Sequence, residues 1–145
     1  MHQKLIHILF YFFIFANGCL SEDKYNIGSV ELVNRNLLLE VEIADNYFSR
    51  KKGLMFRKKM DEKRGMLFVF PAEKNASIWM KNTYISLDII FINKEKYIVS
   101  FIKDVPPNNE KIYNSKEKVK YILEINSGMV DKYNLKIGDK VKLDY

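Results

Sequence analysis

The sequence predicts a mainly β domain, a single small sandwich or barrel with one or two short helices. Three observations carry that prediction. Eight short apolar or alternating runs are separated by turn-prone residues, and only one segment has clear helical periodicity. The 145 residues, 48% hydrophobic and 29% charged, suit one core rather than two. No internal repeat or low-complexity segment interrupts the pattern.

Residues 1–18 have the layout of an export signal. Lys4 precedes an apolar run, Leu5–Ala16, and the small residues Ala16 and Gly18 come just before Cys19. The run is shorter than the roughly 20 residues a spanning helix needs, which favours a cleaved signal over a signal anchor. Cys19 is the only cysteine, so it has no disulfide partner within the chain. Its place resembles that of the acylated cysteine of bacterial lipoproteins, although Ala16 stands where leucine is usual in them. We expect lipidation; the alternative is ordinary signal-peptidase cleavage, which leaves a free thiol. Residues 19–29 read as a tether and 30–145 as the folded domain.

Removal of 1–18 takes away one lysine, both histidines and no acid, leaving 23 basic and 18 acidic side chains. A chain without histidine has no Ser-His, Cys-His or His-ligated zinc chemistry. The export signal separates the basic surface from nucleic acid, so no nucleic-acid partner is expected.

The first hairpin is Val30–Val33 and Leu37–Ala44, turning through Asn34-Arg35-Asn36. In LLLEVEIA, Leu37, Leu39, Val41 and Ile43 share one face. Asp45 is the expected cap of one or two helical turns, with Tyr47, Phe48, Lys51, Leu54 and Met55 on its packed side. From Arg50 to Arg64 eight basic and two acidic residues form a solvated surface, or a patch able to face anionic headgroups. Three strands follow, MLFVF, SIWM and LDIIFI, with turns at Pro71–Asn75 and Asn82–Ser86. Lys96–Ile102 pairs with the last of them. Val119–Ile125 and Lys140–Tyr145 complete the set, and Ser127–Asn134 contributes one helical turn.

RKKGLMFR (Arg50 to Arg57), GMLFVF (Gly65 to Phe70), WMKNT (Trp79 to Thr83), LDIIF (Leu87 to Phe91), Leu123-Glu124, Gly128 and Gly138-Asp139 occur in that order. Together they resemble the domain-of-unknown-function family 192 over about Leu38 to Leu143. The resemblance implies a small jelly-roll-like or barrel-like β domain, frequently exported in bacteria and archaea. It implies no activity, since none is established for the family.

Function is therefore read from the residues. Asp88 in LDIIFI and Glu124 in YILEIN place carboxylates on strand faces that are otherwise apolar, and each requires a partner or a raised pKa. One reading makes both structural, with Asn82-Thr83 as turn punctuation. The other is a shallow cleft with Trp79 as its apolar wall and Lys81, Asn82, Thr83, Asp88, Glu124 and Arg57 as candidate ligand-binding groups. The expected function is a membrane-anchored, extracytoplasmic binding or interaction module at the cell envelope, taking an envelope ligand or protein. The alternative is a hydrolase of envelope carbohydrate that uses Asp88 and Glu124 as its acid pair. The methionines Met55, Met66 and Met80 read as packing, so neither metal nor cofactor is expected. A functional Asp88 would tolerate Asp88→Asn within about 1 kcal/mol, whereas Arg57, as a clamp at the helix–strand junction, would not tolerate alanine. The lipidation expectation is checked by feeding cells a labelled fatty acid: the natural chain takes up label, and Cys19→Ala does not.

Overall fold

A computed structural model describes residues 25–145. The predicted signal, Cys19 and the tether up to residue 24 lie outside the described residues. Nine strands are present among the described residues: β1 Asn26–Leu32, β2 Leu37–Ala44, β3 Arg64–Lys74, β4 Ser77–Ile78, β5 Leu87–Ile92, β6 Ile98–Val105, β7 Tyr113–Asn114, β8 Val119–Asn126 and β9 Val141–Asp144. Two short helices accompany them, α1 Tyr47–Lys52 and α2 Met129–Lys132, with a 3-10 turn at Val33–Arg35.

Seven strands form one sheet in the order β6-β5-β8-β3-β2-β1-β9, antiparallel except for the parallel β2–β3 pair. Parallel neighbours need a crossover, and α1 with the basic segment supplies it. The two outer strands meet at one end. Tyr97 bridges Lys140, the Ile98 N–H donates to the Asp139 carbonyl at 3.0 Å, and the Gly138 N–H returns to the Ile98 carbonyl at 2.8 Å. Arg35 locks this closure with a bidentate pair to Asp139, at 2.7 and 2.6 Å. The closed end and the alternating strands define a barrel interior. It is filled by Val30, Leu39, Val41, Leu67, Ile90, Ile92, Leu123, Ile125 and Val141, and capped by Met129 and Val130 of α2.

A second apolar layer lies on the outer face of β3, β8 and β5. Met66, Phe68, Ile122, Ile89 and Phe91 are covered there by Leu54, Ala76, Met80 and Tyr113. The small β4–β7 ribbon is part of this cover. Every residue of LDIIFI is consequently buried, since β5 is packed on both faces. Gly65 serves the same compaction, because a Cβ there would meet the Glu124 carbonyl of β8 at 2.6 Å.

Several local expectations are corrected. The helix cap is Asn46, not Asp45: its side chain accepts from the Ser49 N–H at 3.0 Å, and Ser49 Oγ accepts from the Asn46 N–H, a reciprocal capping box. Tyr47 and Phe48 are exposed rather than packed, and of the predicted helical face only Leu54 is buried. No residue of α1 is buried, so the helix stands off the core and the segment after it enters through Leu54. SIWM pairs only at Ser77–Ile78, and the predicted turn at Pro71–Asn75 is strand through Lys74. The β3–β8 ladder lapses between Val69 and Lys74, around Pro71, which has no N–H to donate. The first strand starts at Asn26, inside the predicted tether. Gly28 permits this, as a Cβ there would strike the Asp144 carbonyl at 2.4 Å.

Asp88 is fully buried on the interior face of β5. Its Oδ1 accepts from the Asp104 N–H at 2.9 Å and its Oδ2 from the Val130 N–H at 2.8 Å. The partners it requires are backbone amides and not a cation. Asp104 has φ 52, and its amide is freed by the irregular β5–β6 register between Leu87 and Ile89. Asp88→Asn turns one acceptor into a donor facing a donor, which costs roughly 3 kcal/mol. Chemical denaturation should therefore show a loss of that order for Asp88→Asn, against the sequence expectation of tolerance. An unchanged midpoint would remove Asp88 from the scaffold.

Candidate functional site

Of the seven predicted ligand-binding residues, the fold gathers four: Trp79, Lys81, Thr83 and Glu124 line one small cavity of about 20 Å³ with Arg50, Leu54 and Phe68. The cavity lies between the outer face of the sheet and the cover formed by the segment after α1 and the chain from Ile78 to Thr83. It shares Arg50, Lys51, Phe68, Ile78 and Trp79 with a wider recess of about 220 Å³, whose other walls include Tyr47, Phe70 and Ser77. The two spaces form one crevice, narrow at the Glu124 end and broad at the aromatic end.

Register explains why Glu124 points there. It stands opposite Met66 of β3 and Ile89 of β5, both on the outer face. Asp88 stands opposite Ile125, which faces the barrel interior. The two carboxyl groups therefore project from opposite faces of the same sheet and do not flank a common bond. The acid pair of the hydrolase alternative is not brought together.

Glu124 is 3% exposed, and among the described residues its carboxyl makes no hydrogen bond or ion pair. Burial alone pushes its pKa from 4.5 up to about 8. The group is thus a neutral carboxylic acid at pH 7, with one O–H to donate. An enclosed space of this size holds about one water, so the acid faces a solvated throat, not bulk solvent. Cations mark the mouth: Lys81 Nζ lies 5.3 Å from the Trp79 ring and 3.4 Å from Glu110, and Arg50 lies 5.6 Å from the Phe70 ring. Arg50 Nη1 also donates to the Val69 carbonyl at 2.9 Å, which fixes the guanidinium at the wall. Trp79 is 40% exposed, a lip rather than a core residue.

The other three predicted residues are elsewhere. Asp88 is in the barrel core, as described. Asn82 takes φ 56, and its carbonyl accepts the Phe56 N–H at 2.6 Å, so it joins the two covering loops. Arg57 forms a bidentate pair with Glu42 of β2 at 2.7 and 2.8 Å and holds the crossover down. Conversely, Arg50, Phe68, Phe70 and Tyr47 were not predicted as site residues. Phe68 and Phe70 had a usable signal, since alternation from Met66 puts them on Glu124's face.

The comparisons agree with this architecture. Residues 30–143 match the family DUF192, described as "Uncharacterized ACR". A UPF0127 protein of Thermococcus sibiricus is 34% identical over 103 residues, spanning 70% of this chain and 64% of that protein. A UPF0127 protein of Pyrococcus furiosus is 32% identical over 110 residues, 74% of this chain and 90% of that one. Among solved structures, a Sinorhizobium meliloti protein described as a candidate transcription regulator superposes with a TM-score of 0.79 at 34% identity, covering 84% of this chain and 97% of its own. A protein of unknown function from Novosphingobium aromaticivorans superposes with a TM-score of 0.77 at 29% identity, covering 86% and 89%.

The buried acid has a pH signature. Below its ordinary range Glu124 is protonated in both folded and unfolded chains. Between about pH 4.5 and 8 the folded chain keeps a proton that the unfolded chain releases, so stability falls as pH rises through that window. Glu124→Gln has no proton to lose. Melting temperatures measured across the window should fall for the natural chain relative to Glu124→Gln, and parallel curves would show that Glu124 is not held neutral.

Proposed function

The chain belongs to the DUF192 family, for which no activity is established, and from its own residues we propose that it is a binding module for a small ring-bearing group. The ring lies in the aromatic end of the crevice against Trp79, Phe70 and Phe68, and an acceptor atom on it reaches the Glu124 O–H. The observation that carries this reading is a buried carboxyl without a protein partner at the floor of an open, aromatic-walled crevice. Among the described residues no fully buried side-chain polar atom is unsatisfied, so the acid's partner is solvent in the throat, which a ligand atom can replace.

The size supports one ring rather than an extended chain. A space of about 220 Å³ exceeds the roughly 150 Å³ that accommodates benzene. The flanking Arg50, Lys51 and Lys81 favour a neutral or anionic substituent over a cationic one. In this reading the export-type segment and Cys19 hold the module at the envelope, where its ligand is an envelope component or a side chain of an envelope protein.

Trp79 is the only tryptophan, so its emission reports on the crevice directly. Titration with monocyclic fragments that differ only in carrying an amide, a carboxylate, a hydroxyl or no acceptor should move that emission for acceptor-bearing members. Glu124→Leu should weaken their binding about tenfold, the worth of one buried hydrogen bond. Equal binding of the acceptor-free ring, or an unresponsive Trp79, would sink the proposal.

A further inference from the structure

On the far side of α1 from the crevice, basic and aromatic side chains form a second surface that no packing within the described residues explains. Phe48, 80% exposed, shares a recess with Tyr25, Asn46 and Lys52. Tyr25 and Lys52 also border the adjoining recess lined by Phe56, Lys58 and Lys59. The two recesses therefore make one continuous strip, and one of its acids, Asp45, accepts from Asn46 Nδ2 at 3.3 Å. Glu42, the other carboxylate along it, is held by Arg57.

Phe56 is 61% exposed in a left-handed conformation, φ 65, that a bulky side chain rarely takes. The Asn82 carbonyl holds that backbone from below, through the Phe56 N–H, and the ring stands outward against the edge of Tyr84. Strain of this kind persists only where surrounding contacts enforce it. The described chain also begins at this strip. Tyr25 OH donates to the Gly53 carbonyl at 3.1 Å, and Lys52 Nζ lies 6.0 Å from the Tyr25 ring. Immediately ahead lie 24 further residues, which include the apolar run Leu5–Ala16 and Cys19.

We infer that this strip is a membrane-apposed face: Phe48 and Phe56 enter the interfacial region of an anionic bilayer while Lys58 and Lys59 face its headgroups. The charge sign matches anionic lipid, and exposed aromatic rings among lysines suit the headgroup depth. Tyr25 of the strip follows Cys19 by six residues, so an anchor at Cys19 limits how far the strip can stand from a bilayer. The strip adjoins the throat of the crevice through Lys52, Gly53 and Met55, but Phe48, Phe56, Lys58 and Lys59 lie outside it and the inference does not depend on its ligand.

The test uses the full chain with Cys19→Ser and a single new cysteine, Phe48→Cys or Phe56→Cys, bearing a polarity-sensitive fluorophore. A third variant, Ile137→Cys, labels an equally exposed apolar residue outside the strip. With vesicles of phosphatidylglycerol and phosphatidylcholine, labels at 48 and 56 should shift to an apolar signal while the label at 137 stays aqueous. Pure phosphatidylcholine should give little shift. Adding Lys58→Gln and Lys59→Gln should raise the lipid concentration for half-shift on the order of tenfold, given the worth of each base near an anionic surface. Vesicle-bound chain with aqueous labels at both positions would overturn the inference, since the apolar segment alone would then hold the chain. Labels already apolar without vesicles would overturn it as well, because the chain's own Leu5–Ala16 would be the occupant.

Discussion

Asp88 is the constraint on which the α2-capped end of this domain depends. Helix α2 starts at Gly128, whose φ of 85 suits the turn but which has no side chain to satisfy the first amides. A carboxylate from strand β5 does so instead, reaching the Val130 N–H, while its second oxygen takes the amide exposed at the Asp104 irregularity of β6. Three elements distant in sequence are thus held by one side chain. Two charge-assisted bonds of this kind are each worth roughly 1.5–3 kcal/mol, a large share of the stability of a domain this size. With α2 fixed, Met129 and Val130 cap the barrel, and Leu135 packs below them on the way to β9.

Glu124 stands one strand away and has the opposite fate. Both acids belong to the β5–β8 pairing, in neighbouring ladder rungs, Asp88 with Ile125 and Glu124 with Ile89. The pleat sends them to opposite faces. Asp88 meets two backbone donors and needs no cation. Glu124 stands opposite Met66 and Ile89, which cannot donate, and no hydrogen bond reaches it from Thr83, Lys81 or Arg50 of the same cavity, so burial holds it protonated. Environment, rather than residue type, separates a structural acid from an available one.

Much of the architecture was legible in the sequence, because it rests on local alternation. Leu37–Ala44, LDIIFI and YILEIN each declare a strand, and Asn36 in the left-handed region closes the first hairpin as its residue type suggests. Other features depend on distant partners and had no local signal. The two-residue β7 exists only because Ala76 and Ser77 offer it bonds: the Ser115 N–H donates to the Ala76 carbonyl at 2.8 Å and Ser77 pairs with Asn114. Both acids were legible as anomalies on apolar faces. Which one was free was not, since that turns on whether an amide lies opposite, and amide positions follow from the β6 irregularity and α2. Parity alone placed Asp88 and Glu124 on apolar faces; the strand register between them had to be known to show that those faces differ.

The crevice and the aromatic strip share a cause in the crossover between β2 and β3. A parallel pair obliges the chain to leave the sheet and return, and here it does so with a six-residue helix and a basic loop. That is too little structure to seal the outer face, so Leu54 is driven into the sheet while Tyr47 and Phe48 stay out. Near α1 the loop is held by Arg57 on Glu42, Tyr25 on the Gly53 carbonyl and the Phe56 amide on Asn82, and further on by the Asn126 amide on the Met60 and Asp61 carbonyls. Between those attachments the cover stands off far enough to leave the throat above Glu124. A longer crossover helix would bury Glu124 completely and leave its proton without a recipient; a shorter one would open it to water and restore the charge. Burial keeps the acid neutral, and it stays reachable because the cover leaves room for about one water molecule.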